Sequence, residues 1–83
     1  MDSNSVSIRG EQIRQLLTKF YYKDSHLHYQ ILLEFANGKT VLIKEFTNYT
    51  SYKKVFSELQ RIRKENLSIR VPQRLLSVAR ATN

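Results

Sequence analysis

His26 and His28 are two residues apart, a spacing that on a strand aims both imidazoles the same way, with Asp24 close enough to join them. A metal site needs three or four ligands in a fixed geometry, and the chain has two histidines and no cysteine. Two surface histidines beside a turn account for the pattern, and no metal or other cofactor is expected. Glu34 and Glu45 form a second candidate pair on one face of a hairpin, but Lys39 and Lys44 lie nearby as solvated ion-pair partners. That arrangement does not tune a carboxyl toward acid-base work. Gly10 and Gly38 are the only glycines, too few for a glycine-rich phosphate loop. The expectation is a protein that binds rather than catalyses.

What the residues offer instead is positive charge gathered in one part of the chain. Lys and Arg number 14 against 7 Asp and Glu, a net charge of +7. Residues 1–52 are nearly balanced, with Arg9, Arg14, Lys19, Lys23, Lys39 and Lys44 against five acids. Residues 53–83 hold Lys53, Lys54, Arg61, Arg63, Lys64, Arg70, Arg74 and Arg80 against only Glu58 and Glu65. A surplus confined to one region is the footprint of a surface that meets phosphates. A second signal is Lys19-Phe20-Tyr21-Tyr22-Lys23, where rings alternate with cations. Tyr21 and Tyr22 are candidates for stacking on the bases of a single strand, with Lys19 and Lys23 beside its backbone, whereas Phe20 reads as core.

The elements that must position these groups follow from the hydrophobic period. Leu27, Tyr29, Ile31, Leu33 and Phe35 alternate with His28, Gln30, Leu32 and Glu34, which predicts a strand. Asn37-Gly38 follows, the pair best suited to the two positive φ angles of a type I′ turn, and Thr40 to Phe46 returns. A two-residue loop pairs Leu33 with Leu42, Ile31 with Lys44 and Tyr29 with Phe46 on the core face. It puts Leu32 with Ile43 and Glu34 with Val41 on the other. That half-apolar face, with Leu32, Val41 and Ile43, suits a protein partner or a second copy of the chain.

After Phe46 the period lengthens to about 3.6. Tyr52, Val55, Phe56, Leu59 and Ile62 make one stripe of a helix over roughly 50–65, with N-cap oxygens on offer from Thr47, Asn48, Thr50 and Ser51. Lys53, Lys54, Ser57, Arg61 and Lys64 fall on the opposite side. Toward the N-terminus, Ile13, Leu16, Leu17 and Phe20 have helical spacing behind Gly10, which predicts a helix from about Glu11 to Phe20. The competing reading is a strand over Thr18–Tyr22 that turns at Lys23-Asp24-Ser25-His26, giving a three-stranded meander. The first six residues read as a frayed end. Leu67, Ile69 and Val71 suit a short extended stretch, and Pro72 suits the first position of a short helix running to about Arg80. That tail, with Leu75 and Leu76, is a second candidate for docking on a partner.

Eighty-three residues make one small domain that buries a little over ~60% of its unfolded surface. Without cysteine it cannot be stapled by disulfides, and apolar runs of two or three residues are far from the ~20 that span a bilayer. With a polar start, Met-Asp-Ser-Asn-Ser, a cytoplasmic location without membrane contact is expected. The expected fold is α+β: α-β-β-α over residues 1–66, an antiparallel hairpin packed on a basic amphipathic helix. A basic C-terminal extension over 67–83 follows. The expected function is a small basic nucleic-acid-binding protein, DNA before RNA, that grips phosphates with the outer face of helix 50–65 and the tail. The second class is a non-enzymatic interaction module, an inhibitor or regulatory adaptor that docks on an acidic surface of a larger partner.

Overall fold

In the computed structural model, which describes residues 5–74 and 80–81, the chain is α+β but opens differently from α-β-β-α. β1 (Ser5–Arg9) leads through a 3-10 turn (Gly10–Gln12) into β2 (Ile13–Lys23), β3 (His26–Phe35) and β4 (Lys39–Phe46). Helix α1 (Tyr49–Lys64), β5 (Ser68–Pro72) and β6 (Arg80–Ala81) follow. The sheet order is β2-β3-β4-β6, and β1 and β5 form a separate antiparallel ribbon. Ser5 and Val6, expected in a frayed end, pair with Pro72 and Val71 in that ribbon. Of the short helix expected from Pro72, Gln73 and Arg74 are helical and residues 75–79 lie outside the described residues. Pro72 itself ends β5, and the backbone of Arg80 pairs with Thr40.

The helix expected over Glu11–Phe20 is a strand, so the meander is the correct arrangement, and a β-bulge explains the misleading spacing. Ile13 pairs with Phe35 and Gln15 with Glu34, which leaves Arg14 as the extra residue. One extra residue puts Ile13 and Leu16 on the same face although they are three apart. Both pack into the core, while Leu17 lies opposite Leu32 on the other face. Beyond the bulge the β-prone run Thr18 to Tyr22 alternates regularly, and Asp24 and Ser25 close the β2–β3 hairpin with φ of 53° and 66°.

The β3–β4 hairpin forms where the pattern puts it, with a different loop. Gly38 has φ 88° and its N–H donates to the Phe35 carbonyl at 2.9 Å, while the Asn37 side chain accepts from the Lys39 N–H at 3.0 Å. This is a three-residue connection, a turn closed by a left-handed glycine, and it moves the nearby register by one. Leu33 therefore faces Val41, Leu32 faces Leu42 and Glu34 faces Thr40. A bulge at Ile43 then restores the expected pairs Ile31 with Lys44 and Tyr29 with Phe46. A slip of one residue exchanges faces. Val41, expected on a partner-facing surface, is 3% exposed in the core, and Leu42 is 39% exposed. Ile43 packs at the core margin and Leu32 is buried between Leu17 and Leu42.

One face of the sheet carries the core. The ribbon covers its Leu33–Val41 end, where Ile8 and Val71 join Ile13, Leu33 and Val41, with Val6, Leu16 and Ile69 around them. α1 covers the other end, where Tyr52 stacks on Tyr29 at 4.9 Å between ring centroids and shares a 2.9 Å hydrogen bond with Thr18. The helix starts at Asn48, whose side-chain oxygen accepts from the Ser51 N–H. It ends in a Schellman turn: Asn66 takes the left-handed conformation, φ 54°, while Leu67 N–H donates to Ile62 and Asn66 N–H to Arg63. Gly10 seats this end. A Cβ there would come within 2.4 Å of the Ile62 carbonyl oxygen and 2.8 Å of Arg63 Cα, both backbone atoms that cannot yield. Arg63 completes the joint by donating from Nε to the Ile13 carbonyl at 3.0 Å and from Nη2 to the Arg14 carbonyl at the bulge.

Candidate nucleic-acid interface

The structure divides the cations and aromatics singled out by the sequence among three surfaces. Lys53, Lys54, Arg61 and Lys64 are exposed on α1, whose opposite side carries the buried Leu59 and the sheet-facing Tyr52. They are not equivalent. Arg61 is clamped between two carboxylates, with Nη2 2.6 Å from Glu58 and Nη1 3.4 Å from Glu65. The Glu58 hydrogen bond raises the Arg61 pKa and correspondingly lowers that of Glu58. Both acids that flank the helix surface are thus committed to one arginine. Lys53, Lys54 and Lys64 make no hydrogen bond or ion pair within the described residues.

Arg70 lies on the ribbon, where Nη2 donates to Ser5 Oγ at 2.6 Å and Nε at 3.1 Å, a neutral partner, and it makes no ion pair with a carboxylate among the described residues. Arg74 is exposed beyond β5, and the Arg80 side chain lies outside the described residues. Lys19 and Lys23 are exposed on β2, on the sheet face turned away from α1. They do not converge with the helix lysines.

The two tyrosines also separate, because successive strand residues point to opposite faces. Tyr21 shares the face of Lys19 and Lys23 and is occupied there. It stacks on His28, with ring centroids at 4.8 Å, and its hydroxyl donates to Glu45 at 2.8 Å. Glu45 also accepts from Gln30 Nε2 at 2.8 Å and lies 2.7 Å from His28 Nδ1. An ionised carboxylate only accepts, so the imidazole proton sits on Nδ1. Hydrogen bonds from Gln30, Tyr21 and His28 hold the Glu45 carboxyl down at about 2, and the bond to Glu45 raises the Tyr21 phenol. In this network His28 is engaged with the Glu45 carboxylate. Among the described residues no group of three His, Cys, Asp or Glu is placed to hold a metal ion.

Tyr22 points to the helix side and is 76% exposed. Beside it is a surface the sequence reading missed. Phe20 is 58% exposed and contacts Tyr29 and Tyr52 edge-on at 5.7 and 6.4 Å. Tyr49, in the first turn of α1, is 54% exposed and lies 5.7 Å from Tyr29 and 5.9 Å from Tyr52. The available signal was the spacing Tyr49, Tyr52, Lys53, at i, i+3 and i+4 of a helix that starts one residue earlier than expected. On the other flank of α1, Val55, Leu59, Ile62 and Ile69 line an open apolar groove of about 450 Å³, with Lys54 and Glu58 in its wall.

The class of molecule these features define is a small α+β domain that bears a lysine-lined helix and an exposed aromatic patch. No protein-family model, curated protein or solved structure matches the chain. Among the described residues no helix is long and apolar enough to cross a membrane.

Proposed function

We propose that this protein is a non-enzymatic nucleic-acid-binding protein whose primary contact is the phosphate backbone, held by the outer face of α1. The observation that carries this reading is the state of Lys53, Lys54 and Lys64. They stand exposed on one anchored helix with no carboxylate among the described residues bonded to any of them, while the nearby acids Glu58 and Glu65 are taken by Arg61. Lys53 and Lys64 are eleven residues apart, roughly 16 Å along the axis, enough to follow several phosphates at the ~3.4 Å rise of one strand. Arg70 adds charge from the ribbon. The helix is fixed at both ends, by the Asn48 cap and the Asn66 turn, so its lysines are presented without ordering the backbone at the moment of binding.

Three released counterions correspond to a slope of log affinity on log salt of about −2.7 on a duplex, so binding should weaken roughly 40-fold between 50 and 200 mM salt. Fluorescence anisotropy with a labelled duplex measures this directly. Lys53, Lys54 and Lys64 changed together to Gln should flatten the slope with an unchanged circular dichroism spectrum. No binding at micromolar protein in 50 mM salt, or a triple variant that binds like the parent, overturns the reading.

The second reading, an adaptor docking on an acidic protein surface, is favoured by the apolar groove at Val55, Leu59, Ile62 and Ile69 with Lys54 in its wall. Recovery of one acidic partner from nuclease-treated extract, lost on Ile62→Asp, would select it.

A further inference from the structure

The lysines of α1 account for affinity to any polyanion, whereas the aromatic patch beside them carries information about which one. Five rings from three elements form a continuous contact: Phe20 on β2, Tyr29 on β3, and Tyr49, Tyr52 and Phe56 on α1, with neighbouring centroids 4.9 to 6.4 Å apart. Tyr29 and Tyr52 form its floor. Phe20, Tyr49 and the adjacent Tyr22 present more than half of their surface to solvent. Aromatic residues exposed together, instead of one at a time, mark an interaction surface.

The charge around the patch decides between occupants. Lys53 follows Tyr49 by four residues and so sits beside it on the helix. The first turn of α1 contains no acid, although the helix dipole would favour one there. Asp24, the acid closest in sequence to Tyr22, lies in the β2–β3 turn next to Lys23. Glu45 is on the opposite sheet face and saturated by its three donors. Two copies of a +7 chain brought together here would set Lys53 against its equivalent without compensating carboxylates. An anionic partner that also offers flat π surfaces satisfies the rings and the lysine together.

We infer that Phe20, Tyr22 and Tyr49 form a base-stacking platform for single-stranded nucleic acid, with Lys53 holding the adjoining phosphate. This rests on the phosphate-binding reading of α1 and narrows its target from nucleic acid in general to unpaired strands. Phe20 and Tyr22 are two residues apart on one strand face, about 6.8 Å, so each can meet a different base. A duplex hides its base faces in the stack and offers only phosphates to the same surface.

The test compares fluorescein-labelled oligodeoxythymidine of twelve nucleotides with its duplex with oligodeoxyadenosine, at 50 mM salt. The parent protein should bind the single strand more tightly. Tyr22→Ser with Tyr49→Ser should weaken that binding roughly tenfold per ring, and change duplex binding less than threefold. Tyr22→Phe with Tyr49→Phe should retain it, which separates stacking from hydroxyl contacts. Lys53→Gln with Lys54→Gln should weaken both ligands. Equal affinity for the two ligands with no effect of the serine variant overturns the platform and leaves the phosphate reading standing. No binding of either ligand overturns both. A serine variant that converts a dimeric parent to a monomer in sedimentation, with unchanged oligonucleotide binding, assigns the patch to self-association and also overturns the inference.

Discussion

The side-chain amide of Asn66 brackets Glu11 across 55 residues of sequence: its oxygen accepts from the Glu11 N–H at 2.8 Å and its nitrogen donates to the Glu11 carboxylate at 3.3 Å. The same residue holds the left-handed turn that ends α1. Two functions in one side chain can be separated by substitution. Asn66→Gly keeps the conformation and loses the bracket, at a cost of about 1 kcal/mol. Asn66→Ala loses the bracket and adds left-handed strain, for a total of about 2 to 3 kcal/mol. Urea denaturation should therefore rank parent above Gly above Ala. Equal Gly and Ala variants would show that the backbone conformation contributes nothing.

Asp24 and Ser25 both have positive φ, so the β2–β3 hairpin uses the geometry for which Asp-Gly is a preferred pair. Ser25→Gly removes the side-chain penalty at φ 66° and should stabilise the protein by about 0.5 to 1 kcal/mol. A thermal melt reads this as a rise of several degrees for a domain of this size. A lowered melting temperature would mean that Ser25 makes a contribution its backbone does not reveal.

Glu45 has a folded pKa of about 2, below the ordinary carboxyl value, because Gln30, Tyr21 and His28 all bond its ionised form. A depressed acid pKa adds stability that is fully present above the unfolded value near ~4.3 and is lost as pH falls through the folded value. The urea midpoint of the parent should thus decline between about pH 4.5 and pH 2. In Glu45→Gln that decline should be shallower, since one of the acids responsible is gone. Parallel pH profiles for the two proteins would remove Glu45 from the acid response.

Much of this architecture is visible in local pattern, and the failures have local causes too. β3, most of β4 and the exposed lysines of α1 follow from period alone, since alternation and the 3.6 repeat are imposed by backbone geometry. Val41 was misplaced because Asn37-Gly38 satisfies two loop lengths, and the one adopted needs positive φ at glycine alone. The left-handed pair occurs instead at Asp24-Ser25, which carries no glycine to announce it. β2 looked helical because a bulge at Arg14 gives Ile13 and Leu16 a spacing of three on one face. β1 and β5 carry alternation too short to be read alone, and their partners lie about 60 residues apart or more, from Arg9 with Ser68 to Ser5 with Pro72. In the site, the pairing of Arg61 with Glu58 and Glu65 was legible at i−3 and i+4, whereas the aromatic patch required the sheet and the helix to be brought together.

Arg63 reaches from the end of α1 to the carbonyls of Ile13 and Arg14, at the start of a strand that is the outermost of its sheet among the described residues. An outer strand of eleven residues is a template on which another chain can extend the sheet. The bulge at Arg14 bends that template at its start, and the Arg63 guanidinium occupies the Ile13 and Arg14 carbonyls there. The first carbonyls of this open edge are thus satisfied from within the chain, by a helix that reaches around to the rim of the sheet it packs on.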